Sequence, residues 1–247
     1  MSIVSETITV LKSQISNACI KRFRPENGKL ASLPVKLPLL FDVGERTVSS
    51  LSDLSSLLTS LEHDPSKFII RGELIEGREK ENIRRTGKSH LFNDPNSNFN
   101  PAPNRWCMID IDDLELPAEY ADIDASKPDI LAHTTAKLPE AFRGVDCHYQ
   151  FSASMGVKTD KVRVHLWYWL NRSVSDAEMK AWMGQSDVPV DMSLFRPVQP
   201  HFTANPIFEN GAINPLPNRS GLYDAHNGQD TVTVHENLDE ILTVQTR

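Results

Sequence analysis

A chain of 247 residues with 26 Lys and Arg against 33 Asp and Glu carries a formal charge of −7. That excludes a protein that coats nucleic acid through bulk positive charge, but not one that grips a strand locally with a few arginines. No apolar run approaches a membrane span, and the opening MSIVSETITVLKSQ has no secretory apolar stretch, so no membrane partner is expected. Three scattered cysteines, Cys19, Cys107 and Cys147, make neither a disulfide framework nor a zinc knuckle. Cys107 and Cys147 sit in apolar, strand-like segments and are expected to be buried thiols in a reducing compartment, most simply the cytoplasm.

In chain order, Ile8, Leu11, Ile15 and Ile20 predict a helix over 1–23, followed by a Pro-containing connection to an extended segment. Ser50 opens an amphipathic helix that runs to about Leu61, with Leu51, Leu54, Leu57, Leu58 and Leu61 at helical spacing. HDPSK breaks it, and 68–72 reads as a short strand. Residues 76–104 are polar and rich in Asn and Pro, a long loop. The basic residues Arg71, Arg78, Lys80, Arg84, Arg85 and Lys88 cluster here. The second half is more regular: a strand at 106–112, a helix from 130 to 142 broken at Pro139, a strand at 148–154, and an alternating strand at 161–170. A helix from Ser175 to Met183 follows, with Ser175 and Glu178 as a capping box, and then an extended step at 188–191. The order βαββαβ is that of an RRM-like unit. After Gly221 the chain reads as a tail until Leu238, Ile241 and Leu242.

The chemistry concentrates in Trp106-Cys107-Met108-Ile109-Asp110-Ile111-Asp112-Asp113. In a strand, residues two apart share a face, so Asp110 and Asp112 fall together, and Asp113 falls on the other side. Two carboxylates that close repel unless a divalent cation lies between them, and oxygen ligands suit Mg²⁺ or Mn²⁺. The alternative is a strand running into a solvated acidic loop. In the strand 161–170, Arg163, His165, Trp167 and Trp169 share one face. Arg163 and His165 together suit a phosphate, whereas the two tryptophans are expected to pack. The small, polar turn before this strand, with Ser152, Ser154 and Lys158, offers hydroxyl and backbone donors to an anion; an ordinary hairpin loop reads the same way. Asp191, after the last helix, is a third carboxylate.

These motifs resemble the archaeo-eukaryotic primase superfamily, in particular the primase-polymerases of phages, plasmids and integrated elements. Met108-Ile109-Asp110-Ile111-Asp112 is similar to its first motif, and Val190-Asp191 to its third. Arg163-Val164-His165 stands where that family has Ser-x-His, with Ser152 and Ser154 on the preceding strand end. The runs 68–72 with Arg84 and Arg85, and 196–206, also resemble phage and plasmid members. The resemblance covers about 35–210. It implies an α+β primase fold: an N-terminal helix and connection (1–34), an N-terminal α/β unit (35–104), an RRM-like catalytic unit (105–215) and a tail or linker (216–247).

The resemblance further implies template-dependent transfer of dNTPs or NTPs onto a 3′-hydroxyl. Asp110, Asp112 and Asp191 would hold two Mg²⁺ or Mn²⁺ ions. Arg163, His165, Ser154, Ser152 and Lys158 would bind the nucleotide, and Arg71, Arg84, Arg85 and Arg196 would contact template or phosphate. The partners would be a single-stranded DNA template and primer, with a helicase as usual companion, in the cytoplasm of a bacterial host or equivalent. Two other readings stand beside it: a metal-dependent nuclease or phosphodiesterase using the same carboxylates on water, and a non-catalytic, replication-associated binding module. A relaxase is disfavoured because no His-x-His occurs.

Overall fold

The structure, a computed structural model, describes residues 5–87, 96–158, 160–235 and 238. Lys88, Ile241 and Leu242, singled out above, lie outside the described residues. The chain begins with β1 (Glu6–Ser13), β2 (Arg22–Glu26), β3 (Lys29–Leu33) and β4 (Leu40–Val48), then α1 (Leu51–Leu61). Next come β5 (Lys67–Ile70), β6 (Glu73–Leu74), β7 (Ile83–Arg84), β8 (Phe99–Asn100) and the long β9 (Asn104–Glu115). The rest comprises α2 (Lys127–Thr135), β10 (Cys147–Phe151), β11 (Lys161–Val174), α3 (Asp176–Met183), β12 (His201–Phe202), β13 (Ile207–Phe208) and β14 (Ser220–Tyr223). This is a mixed α+β chain with several sheets, dividing into two compact units. The first comprises 1–49, 56–102 and 196–214; the second comprises 50–55, 103–195 and 215–247.

The first unit is organised on a five-stranded sheet in the order β12-β5-β1-β4-β7. The helix expected at 1–23 is absent from its described residues: Glu6–Ser13 is a strand, paired antiparallel with β4 from Glu6↔Val48 to Ser13↔Phe41. The run Thr7-Ile8-Thr9-Val10 explains the difference. β-Branched side chains are stiff in a helix and fit a pleated surface, and here β1 lies inside the sheet with Ile8, Thr9, Val10 and Leu11 all buried. Leu11, Phe41, Phe68, Ile70 and Phe99 form a core cluster beside this sheet. The stretch read as a connection holds the β2–β3 hairpin, whose Asn27 and Gly28 take φ of 51° and 75°, the left-handed pair that a two-residue hairpin turn requires. α1 forms as expected, with the stripe Leu51, Leu54, Leu58 and Leu61 buried and Ser50 Oγ accepting the Asp53 N–H at 3.1 Å.

The second unit is a four-stranded antiparallel sheet, β14-β10-β11-β9. One face carries the core: Cys107, Ile109 and Ile111 of β9, Phe151 of β10, and Val162, Val164, Leu166, Tyr168 and Leu170 of β11, with Ile130 and Leu131 of α2 and Met179 and Trp182 of α3. α3 begins at the expected capping box, and Pro128 opens α2, which ends four residues before Pro139; a short 3₁₀ turn, Glu140–Phe142, follows.

The expected strand at 188–191 does not form. Pro189 has no N–H for a ladder, and the Asp191 side chain accepts the Ser193 N–H at 2.8 Å, capping a 3₁₀ turn, Met192–Leu194. The fourth strand instead comes from the stretch read as a tail: β14 pairs with β10 from Cys147↔Tyr223 to Gln150↔Ser220. Leu216, Val232 and Leu238 are buried in the same core.

Candidate functional site

The face of this sheet opposite the core divides along its length. At one end Trp106 and Trp167 stack with ring centroids 5.6 Å apart, both fully buried, and Trp169 is 5 % exposed. Beside Trp167 on β10 lies His148, whose Nδ1 is 2.9 Å from the Ser55 hydroxyl of α1. Burial pushes the His148 imidazole down to about 4, so it is neutral at ordinary pH. The tryptophans therefore pack, as their alternation suggested.

Two residues along each strand the face turns polar. Asp110 of β9, His165 of β11, Gln150 of β10 and Ser220 of β14 lie directly opposite one another in turn, a polar row across all four strands. His165 Nε2 is 3.6 Å from Asp110 Oδ1. The Asp110 carbonyl accepts the Asp191 N–H at 3.3 Å, away from β11, so Asp110 and His165 form a non-hydrogen-bonded pair, the closer kind.

The next row holds a β-bulge. Ile111 faces Val164, but Leu114 faces Val162, so Asp112 and Asp113 together oppose Arg163. The expected alternation breaks here: Leu114, not Asp113, returns toward the core. Both aspartates are exposed. The Asp112 carbonyl accepts from Arg163 Nη1 at 3.0 Å, and the guanidinium has long ion pairs with Asp112 (3.9 Å) and Asp160 (3.6 Å). Among the described residues, the buried Nε of Arg163 and Nδ1 of His165 carry no hydrogen bond.

The turn after β10 adjoins this row through the Ser152 N–H, which donates to the Arg163 carbonyl at 2.8 Å. The Ser152 and Ser154 hydroxyls are 3.2 Å apart. The Lys158 N–H donates to the Ser154 carbonyl at 2.9 Å, and Lys158 is exposed.

The structure thus brings Asp110, Asp112, Arg163, His165, Ser152 and Ser154 onto one end of one face, with Asp191 at the β9 edge by its backbone. Among the described residues no group of three or more His, Cys, Asp or Glu side chains is placed to hold a metal ion, and both oxygens of Asp191 engage Ser193, at 2.8 and 3.0 Å.

The remaining basic residues belong to the first unit. Arg71 is buried. Arg85 donates to the Val198 carbonyl and lies over the Phe68 ring at 5.9 Å, with burial lowering its pKa. Arg84 and Arg196 are exposed. The two stretches 68–72 and 196–202 meet: the Gly72 N–H donates to the Pro197 carbonyl at 2.7 Å, and His201 pairs with Ile69. A Cβ at Gly72 would sit 2.8 Å from the Pro197 oxygen, so this crossing requires glycine. Among the described residues no helix is long and apolar enough to cross a membrane.

Gln150, Ser220 and Arg219 belong to or adjoin the polar region and were not singled out from the sequence. Strand alternation through His148-Tyr149-Gln150 placed Gln150 on this face once β10 was paired with β11; nothing local marked Ser220 or Arg219.

No family model matches the chain, and no solved structure matches it. A curated protein of Escherichia phage T5, described as a "Putative replication origin binding protein", is 26% identical over 211 residues, 79% of this chain and 21% of that protein. The chain therefore spans about a fifth of that relative's length.

Proposed function

We propose that this chain is a nucleic-acid-binding module of replication, gripping phosphate with the polar end of the β9–β11 face. The observation that carries this is the Arg163–His165 pair, whose buried Nε and Nδ1 have no hydrogen-bond partner among the described residues. A buried donor left so costs about 1–3 kcal/mol, and phosphate oxygens match both groups. The description of the T5 relative supports a setting in replication and a DNA ligand.

A second reading, the RRM-like core of an archaeo-eukaryotic primase-polymerase acting on dNTPs or NTPs, is favoured by one contact. The Asp191 backbone bonded to Asp110 brings the third acid to the strand edge that carries the first. That reading needs the Asp191 carboxylate to leave Ser193.

The test is fluorescence anisotropy of a labelled single-stranded oligonucleotide in EDTA, comparing the wild type with Arg163→Ala and His165→Ala. Binding weakened about tenfold or more in Arg163→Ala, a loss of about 1.4 kcal/mol, is the expected result. Unchanged affinity overturns the binding reading. Primer extension with Mn²⁺, abolished in Asp110→Ala, would move the assignment to the primase-polymerase.

A further inference from the structure

The Arg163 guanidinium is anchored by the bulge of β9. From that bulge the Asp112 carbonyl accepts from Nη1 at 3.0 Å, and the Asp112 carboxylate lies 3.9 Å from the same nitrogen. A guanidinium is planar and rigid, so a bond at Nη1, with the stem fixed in the strand, sets where its other nitrogens stand. Nε and Nη2 share the remaining edge, the side-on fork that donates two parallel hydrogen bonds to a carboxylate or a phosphate. Nε is buried and has no hydrogen bond among the described residues.

One carboxylate stands at this edge. Asp160 Oδ1 is 3.6 Å from Nη2, and the Asp160 side chain is 71 % exposed where that of Arg163 is 12 % exposed. That separation exceeds hydrogen-bond reach. The backbone keeps Asp160 in place: its carbonyl accepts the Leu116 N–H at 3.3 Å, and the next residue, Lys161, pairs with Glu115 in the ladder. The Lys161 ammonium donates to Glu115, and among the described residues Arg163 is the one ion-pair partner of the Asp160 carboxylate. An anion is thus held beside the fork without making either of the fork's bonds. An exposed pair this long is weak, and the carboxylate loses little by turning to water. A phosphate has the oxygens to fill Nε and Nη2 together, but it meets the repulsion of Asp160 for as long as that side chain stays.

We propose that Asp160 gates the side-on fork of Arg163: its carboxylate holds the place of a ligand phosphate and swings out when the phosphate takes Nε and Nη2. This rests on the reading of the polar face as a phosphate grip, and it names the edge of Arg163 that is used and the group that competes for it. The gate lowers affinity and raises selectivity, because an anion with two adjacent oxygens replaces the carboxylate better than one offering a single contact. The phosphate belongs either to a nucleic-acid backbone or to a free nucleotide, and the two share the same recognition chemistry.

The experiment measures binding of a single-stranded oligonucleotide and of inorganic tripolyphosphate, in EDTA, to wild type, Asp160→Asn, Asp113→Asn, Arg163→Ala and the double variant Arg163→Ala/Asp160→Asn. Asp113 is an exposed carboxylate of the same bulge with no ion pair to Arg163 among the described residues, so its variant reports the loss of one negative charge alone. Asp160→Asn should bind about threefold or more tighter than wild type, Asp113→Asn should gain less than about half of that, and the Asp160→Asn gain should vanish once Arg163 is alanine. No gain in Asp160→Asn, equal gains in the two aspartate variants, or a gain that survives without Arg163 overturns the proposal. Weak binding by Arg163→Ala with Asp160→Asn equal to wild type overturns the gate and spares the reading beneath; full binding by Arg163→Ala overturns that reading itself. A gain for the oligonucleotide alone assigns the phosphate to a backbone, and a gain for tripolyphosphate assigns it to a nucleotide. Should Arg163→Ala fail to fold, the Arg163 Nε–H resonance decides. It shifts on titration with tripolyphosphate or oligonucleotide, at lower concentration in Asp160→Asn, if the proposal holds; a resonance unmoved by either refutes it.

Discussion

Toward one end of β11, Trp167 is stacked on Trp106 and sealed from solvent, and the neighbouring His148 is joined to Ser55. Two and four residues back along the same strand, His165 and Arg163 stand at the same face with buried nitrogens that no described residue satisfies. The two ends share their partner strands, and the bulge of β9 opposite Arg163 sets the polar end apart along with its side chains. The tryptophan end is built to stay closed, and the arginine end holds donors in reserve. Buried polar groups in folded proteins are ordinarily satisfied, which makes the bare Arg163 Nε and His165 Nδ1 a pointer to what the polar end does.

The comparison can be broken from either side. The largest effect belongs to Trp167→Ala, which removes a fully buried indole and should cost about 3–5 kcal/mol in urea unfolding; a cost below 1 kcal/mol would mean that this end is not closed.

His148 comes next. Its folded pKa of about 4 lies below the ordinary value of 6.5, so between these values the unfolded chain binds more protons than the folded one. Stability is then fully present above about pH 6.5 and falls as pH drops toward 4, by roughly 3 kcal/mol in all. His148→Gln should flatten that part of the pH–stability curve measured by denaturant unfolding.

The smallest effect is at the polar end. Asp112→Asn, at an exposed side chain with a 3.9 Å ion pair, should shift stability by no more than about 0.5 kcal/mol. A change of 2 kcal/mol would show that the polar end is a structural network after all.

The parts of this picture legible in the sequence were those where local chemistry and tertiary environment agree. Ser175 and Glu178 form their capping box because both partners lie within one turn. The leucines of α1 and the alternation of 161–170 each announce a buried stripe. The strand at Glu6–Ser13 was hidden because its widely spaced apolar residues mimic a helix period, and the stiffness of Thr7-Ile8-Thr9-Val10 decides the matter only inside a sheet. β14 was hidden for another reason. Ser220-Gly221-Leu222-Tyr223 has little strand character of its own, and pairing with β10 across some seventy residues supplies it. Asp110 and the Arg163–His165 pair were visible as the first two of three motifs in order, but Gln150 and Arg219 entered only through pairing and a long-range hydrogen bond.

The bulge at Asp112 and Asp113 gives β9 two reading frames. Up to Ile111 odd-numbered residues belong to the core side, and from Leu114 even-numbered ones do, with Arg163 standing at the change. The strand thus contains one spare residue, and it is acidic. Losing either aspartate would let the remaining one pair singly with Arg163 while Leu114 and Ile111 kept their places. The same loss between Trp106 and Ile111 would turn the core face outward. Length variation among relatives of this chain therefore has one tolerated position within the strand, and it falls where the acidic charge opposite Arg163 is set.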